Sequence, residues 1–330
     1  MSLSRESQIL TYSSPSDPLW KRWTMRAIED LSGRRRLLPI YHAWRTQVAG
    51  KSPRMMNELI DMVGTRLDID LGCDDAGSHA GAWPVALPPD TPLVIVANHP
   101  FGIGDGIAIL ALVEQLGRPY RILLNSDFLK VPEIRPHGLP IDFSETREAI
   151  RTNLESRNQA RRLLREGVTI VVFPAGGVAT AEHPRGKAEE LPWKAFTARL
   201  IQQAEAAVLP IYFEGQNSAL FHLVSRYSLT VRLALMVSET RNFVGATVKV
   251  HVGPVVPFAD LACKNDRNGL TAEIYARVHQ LAPESRHLPL DALRERPAEA
   301  RRRYPWDPPR RSMRAKAQAA HSPPPLAGEG

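Results

Sequence analysis

Only two cysteines, Cys73 and Cys263, occur in 330 residues. That is too few for a disulfide framework and points to a reducing compartment. No stretch reaches the roughly 18 uninterrupted apolar residues of a membrane span. Met1 to Pro18 lack the apolar centre of a secretory leader, so the expectation is a chain that is not exported. A Gly-x-Ser-x-Gly elbow is absent, which argues against a serine nucleophile. So is a His-x-x-x-His pair, which together with the lack of a third ligand near any His/Asp pair argues against a metal hydrolase. Neither cysteine stands in a motif that activates a thiol. What is present is globular: 43% hydrophobic and 23% charged residues, in a chain long enough to bury a core without cross-links.

The charge is uneven. The total is +7, with ten Lys/Arg against four Asp/Glu in residues 1–54 and nine against four in residues 294–330. The middle is therefore mildly acidic. This argues against a nucleic-acid groove through the core and allows basic ends that touch an anionic surface. Leu19 to Ser32 reads as a helix with Trp20, Trp23, Ala27, Ile28 and Leu31 on one side and Lys21, Arg22 and Arg26 off that stripe. Such a helix can lie in a membrane interface, or pack on its own domain. The Arg- and Pro-rich end reads as disordered.

The pattern divides the chain into a basic helical region over 1–80, an α/β domain over 81–260, a C-terminal helix within 261–293 and a Pro-rich tail over 294–330. Residues 19 to about 70 read as helical, with breaks at Ser32-Gly33 and near Gly50 to Pro53, and Asp74 to Thr91 as a linker. Leu93–Ala97 has the length of a buried strand. Further strands are expected at 121–124, 139–143, 168–173, 208–213 and 246–252. Helices fall between them: from Asp105, from an N-cap at Ser144, from Pro192, and over 270–281. Alternation of this kind predicts an α/β fold with a mainly parallel central sheet flanked by helices, preceded by the N-terminal helical segment.

The informative segment is Asn98-His99-Pro100-Phe101-Gly102-Ile103-Gly104-Asp105-Gly106. It sets a His directly after a buried strand and an Asp at the start of a helix, at the sheet edge where open α/β folds bind ligands. A neutral His can take a proton from a hydroxyl, and a carboxylate can hold its tautomer and stabilise the cation. The glycines allow close approach, and N–H groups around Gly102 to Gly106 suit an oxyanion. Asp105 also reads as a helix cap, and Asn125 and Asn217 as site-lining or turn residues. Gly102-x-Gly104-x-Gly106 with Asp127 has the wrong spacing for dinucleotide binding.

This segment resembles the first motif of the glycerolipid acyltransferase superfamily. Gly138–Asp142 resembles the second motif, Val172 to Gly177 the third and Val208–Ile211 the fourth, in the same order. Asn-His-Pro-Phe-Gly with Asp-Gly, and Phe213 to Ser218, look closest to the bacterial hemolysin-like branch, some of which handles ornithine lipids. The resemblance implies transfer of an acyl group from acyl carrier protein or coenzyme A to a lysolipid hydroxyl. His99 would be the base, oriented by Asp105, with no tightly bound cofactor or metal, at the cytoplasmic side of a membrane. It implies substrate contacts at Asn98, Phe101, Gly102, Gly104, Pro174, Ala175, Gly176 and Gly177, with Asn125 a site-lining candidate by its place after a strand.

Three departures stand out. Five residues separate His99 from Asp105 where the family has four. Ala175 replaces a Glu of the third motif, and Phe143-Ser144 follow Asp142 where an Arg usually ends the second. In the family that Glu and Arg serve acceptor binding, so a zwitterionic or amino-acid-headed lysolipid fits better than glycerol phosphate. Arg135, Arg147, Arg185 and Lys187 are the substitute acceptor contacts by sequence. The competing reading is a non-catalytic membrane-surface lipid-binding protein on a degenerate acyltransferase fold.

Overall fold

The computed structural model describes residues 18–294, apart from 73–82, 86, 89, 145, 226 and 228. Residues 1–17, most of the expected linker and the Pro-rich tail after Arg294 lie outside the described residues.

A seven-stranded sheet organises the molecule. Its strands are β1 (Arg66–Leu71), β2 (Leu93–Ala97), β3 (Tyr120–Asn125), β4 (Gly138–Ile141), β5 (Thr169–Val172), β8 (Ala207–Phe213) and β9 (Thr247–Val252). Their order is β1-β9-β8-β2-β5-β3-β4. From β8 to β4 every pairing is parallel; β9 joins β8 antiparallel, and β1 is parallel to β9. A separate small hairpin pairs β6 (Thr180–Ala181) with β7 (Ala188–Glu189).

β2 is central because both of its faces are apolar, as a strand covered by helices on both sides requires. Leu93, Ile95 and Ala97 point into one core. That core is shared with helices α2 (Arg34–Gln47), α3 (Met55–Met62) and α4 (Ile103–Gln115). Val94 and Val96 point into the other. There they meet α5 (Arg147–Arg165), α6 (Phe196–Ala204) and α9 (Arg267–Gln280). Two further helices, α7 (Ala219–Ser225) and α8 (Leu229–Phe243), follow β8, and α10 (Leu290–Arg294) closes the described chain.

Four sequence expectations change. Residues 66–71 are a strand, not the end of a helical run. Arg66-Leu67-Asp68-Ile69-Asp70-Leu71 alternates polar and apolar, and burial alternates with it. The helices at 219–225 and 229–243 were not anticipated. Thr146 rather than Ser144 caps α5, its hydroxyl accepting the Ala149 N–H at 3.1 Å. Helix α6 starts at Phe196, four residues after Pro192.

Helix α1 (Leu19–Ser32) ends at Gly33, where φ is +122°, and packs on α8. Its buried residues include Met25, with Ile28 partly covered. Trp20 and Trp23 point the other way and are 71% and 75% exposed. The two tryptophans are therefore not on the packing face. No helix among the described residues is long and apolar enough to cross a membrane.

Candidate active site

The loops leaving β2, β5 and β8 meet at the C-terminal edge of the parallel strands. Asn98 follows β2 and bridges to β8: its side-chain amide donates to the Phe213 carbonyl at 2.9 Å, and its oxygen accepts the Phe213 N–H at 2.7 Å. Both polar atoms are thus committed to holding the two strand ends together.

His99 comes next. Its Nδ1 lies 3.0 Å from Asp105 Oδ1, with the Asp side chain fully buried and the His 17% exposed. Asp105 Oδ2 accepts the Phe101 N–H at 2.8 Å, so the carboxylate also shapes the turn entering α4. The five-residue spacing is absorbed there, because Gly102 takes φ +86°. With Nδ1 turned to the carboxylate, Nε2 is the nitrogen left for a substrate proton. The imidazole stacks on Phe173 at 4.1 Å.

The backbone of His99 is held as firmly as its ring. Its carbonyl accepts the Ala179 N–H at 2.8 Å, and its N–H donates to Glu190 Oε1 at 2.9 Å. The other oxygen of Glu190 accepts Trp193 Nε1–H at 3.0 Å and lies 3.1 Å from His279 Nε2. Glu190, with a side chain only 5% exposed, thereby ties α9 to the loop that carries His99. Nothing in the local sequence marked Glu190 or His279, since neither lies in a motif.

The remaining sequence candidates separate into those at the site and those away from it. Pro174, Ala175, Gly176 and Gly177 form the loop after β5 that carries Phe173. Ala175 is fully buried, and Gly176 has φ +67° and gives its N–H to the Phe173 carbonyl. The Pro174 carbonyl accepts the Lys194 N–H at 3.1 Å. Gly102 and Gly104 are packing positions: a Cβ on Gly102 would sit 1.9 Å from Met236 Cε, and one on Gly104 3.0 Å from the Phe243 ring. Phe101 packs beside Gly215. Asn125 caps the short 3-10 turn that follows β3, accepting the Asp127 N–H at 2.9 Å. Arg135 gives Nε–H to the Leu129 carbonyl, and Lys187 pairs with Glu284.

The four motif segments lie in one stretch of the chain. The Acyltransferase family model matches residues 84–214. Over these residues the chain resembles that family. The match contains all five parallel strands and the His99 site, while β1 and β9 lie outside it. The chain is similar to two lyso-glycine lipid O-acyltransferases. That of Phocaeicola vulgatus is 28% identical over 144 residues, covering 41% of this chain and 47% of its own. That of Bacteroides thetaiotaomicron is 30% identical over 149 residues, covering 41% and 48%. The chain thus spans about half the length of these curated relatives.

Proposed function

We propose that this protein is an O-acyltransferase that moves a fatty acyl group from a thioester to the hydroxyl of a lysolipid with an amino-acid head group. Acyl carrier protein or coenzyme A would carry the donor. The observation that carries the reading is the His99–Asp105 pair, buried on the carboxylate side and open on the other, in an acyltransferase domain.

His99 Nε2 takes the proton of the acceptor hydroxyl while Asp105 stabilises the imidazolium. The acceptor oxygen attacks the thioester carbonyl. The tetrahedral intermediate expels a thiolate, which recovers the proton from His99. No covalent enzyme intermediate is needed. The Phe101 N–H is taken by Asp105 and the Gly106 N–H by the Gly102 carbonyl. The N–H groups of Ile103 to Asp105, in the first turn of α4 and without partners inside the helix, are the ones offered to the oxyanion.

The choice of acceptor rests on the activity for which the two similar proteins are named and on Ala175, which supplies no carboxylate to an acceptor hydroxyl. Membrane contact is assigned to α1, where Trp20 and Trp23 project outward beside Arg22 and Arg26.

The experiment supplies labelled acyl thioester with lysophosphatidic acid, lysophosphatidylglycerol, lysophosphatidylethanolamine, lyso-ornithine lipid and lyso-glycine lipid. His99→Ala runs beside the native protein. Label entering an amino-acid-headed lipid only with His99 present is the expected result. Bound lipid with both substrates left intact would favour a non-catalytic lipid-binding protein.

A further inference from the structure

The small β6–β7 hairpin closes on one residue of the site. Ala179, just before β6, donates its N–H to the His99 carbonyl at 2.8 Å. Glu190, just after β7, accepts the His99 N–H at 2.9 Å. The two open ends of the hairpin thus grip the two backbone groups of His99. The hairpin is itself pinned by later segments of the chain. The Ala188 N–H donates to Gln216 Oε1 at 2.8 Å, the Ala181 N–H to His222 Nδ1 at 3.2 Å, and Arg232 to the Thr180 hydroxyl at 2.8 Å.

A buried N–H needs an acceptor, and a neutral carbonyl would satisfy it. Glu190 is instead a carboxylate whose side chain is 5% exposed, a setting that disfavours charge. Its second oxygen accepts Trp193 Nε1–H at 3.0 Å and lies 3.1 Å from His279 Nε2. His279 is its one ion-pair partner among the described residues. The His279 ring is held in turn by stacking on Tyr275 at 4.0 Å. A carboxylate is therefore maintained, with partners on both oxygens, where a neutral group would do, and the proton transfer itself does not use it.

We infer that Glu190 is a positioning residue for His99: its carboxylate fixes the His99 peptide, and His279 fixes the carboxylate. With the peptide locked at both N–H and carbonyl, the imidazole leaves the backbone in one direction, so Nδ1 meets Asp105 and Nε2 stays open. A displacement of about 1 Å at the base is enough to cost about 10²-fold in rate. His279 lies beyond the residues 84–214 that match the family model, so the site draws on α9 as well. The inference rests on the acyl-transfer reading for its rate measurement, and its spectroscopic measurement stands without it.

Steady-state transfer is measured on native protein, Glu190→Ala, Glu190→Gln, His279→Phe and His279→Gln, with a thermal melt of each. Glu190→Ala should lower kcat about 10- to 100-fold with KM within about twofold of native. Glu190→Gln keeps an oxygen for the His99 N–H and should lose less. His279→Phe keeps a ring on Tyr275 without a donor and should lower kcat about three- to tenfold. His279→Gln keeps an N–H donor and should restore it. The His99 amide is followed by heteronuclear NMR on histidine-labelled protein, with His99→Gln for assignment. A charged acceptor holds that proton downfield. Both Glu190 variants should move it upfield, and Glu190→Ala should speed its exchange.

If Glu190→Ala does not fold, Glu190→Gln and His279→Phe decide. A loss that appears as a raised KM overturns the inference, because it would make Glu190 a substrate contact. Equal effects of His279→Phe and His279→Gln overturn the part assigned to His279. His99-dependent transfer with native kcat in folded Glu190 variants overturns the inference and upholds the reaction. An upfield His99 amide in the Glu190 variants, with no transfer by native protein, upholds the inference and overturns the reaction.

Discussion

Ring and backbone of His99 are fixed by different groups, so the site's residues separate by what each substitution removes. Asp105→Asn keeps an oxygen for the Phe101 N–H but takes away the charge facing Nδ1. We expect kcat to fall by at least about 10²-fold with little change in melting temperature, measured by steady-state transfer and thermal unfolding. Asn98→Ala should behave in the opposite way. It removes two buried hydrogen bonds between β2 and β8 and leaves the Phe213 groups unpaired. A loss of about 1–3 kcal/mol in urea unfolding is expected. Gly102→Ala would drive a Cβ into Met236 at a positive φ. That residue reads in sequence as room for a substrate; its tighter neighbour is α8, a helix 130 positions on whose approach local spacing cannot encode. The His99–Asp105 pair, by contrast, was legible, because strand end, turn and helix start are consecutive.

At the scale of elements, the N-terminal segment is integral to the core. Tyr41 and Trp44 of α2 and Met55, Met56 and Ile60 of α3 are buried in it. The start of α3 has no cap of its own and borrows one: Glu114, on α4, accepts the N–H groups of Met56 and Asn57. Burial raises the Glu114 carboxyl above the usual range, opposed by these donors and by Asn57 and Tyr120. Glu114→Ala should cost about 1–3 kcal/mol and speed hydrogen exchange at Met56 and Asn57. Deleting residues 1–54 is thus a poor test of membrane contact, because it opens the core. Trp20→Ser with Trp23→Ser removes only exposed surface. The pair should lose binding to vesicles containing anionic lipid, seen by cosedimentation, while keeping the melting temperature. The amphipathic stripe was visible in sequence, yet only the contact with α8 shows which side faces away from the protein.

For the molecule as a whole, acid is the expected weakness. Burial, aided by the Arg121 charge, lowers the pKa of His137. Burial also lowers that of His222, whose Nδ1 accepts the Ala181 N–H at 3.2 Å. A group depressed in the folded state contributes stability above its unfolded pKa and loses it as pH falls through the folded value. Melting temperature should therefore drop as pH is lowered below about 6.5, the ordinary imidazole value. His222→Gln with His137→Phe should flatten that slope; an unchanged slope would assign it to the carboxylates.

The sequence by itself determined the parallel α/β core, since buried strands such as Leu93–Ala97 and the helices between them announce themselves by run length and periodicity. It also determined the His99–Asp105 pair and the four motif loops, all local patterns. Tertiary structure decided the rest. It added β1 beside β9, 181 residues apart at Asp70 and His251, and placed α7 and α8 against the site. It showed structural contacts at Asn98, Gly102 and Asn125 that the sequence did not announce. It brought Glu190 and His279, 89 residues apart, to the loop that carries His99. Their convergence is set by how helices α6 and α9 pack on one face of the sheet, which no short stretch of sequence specifies.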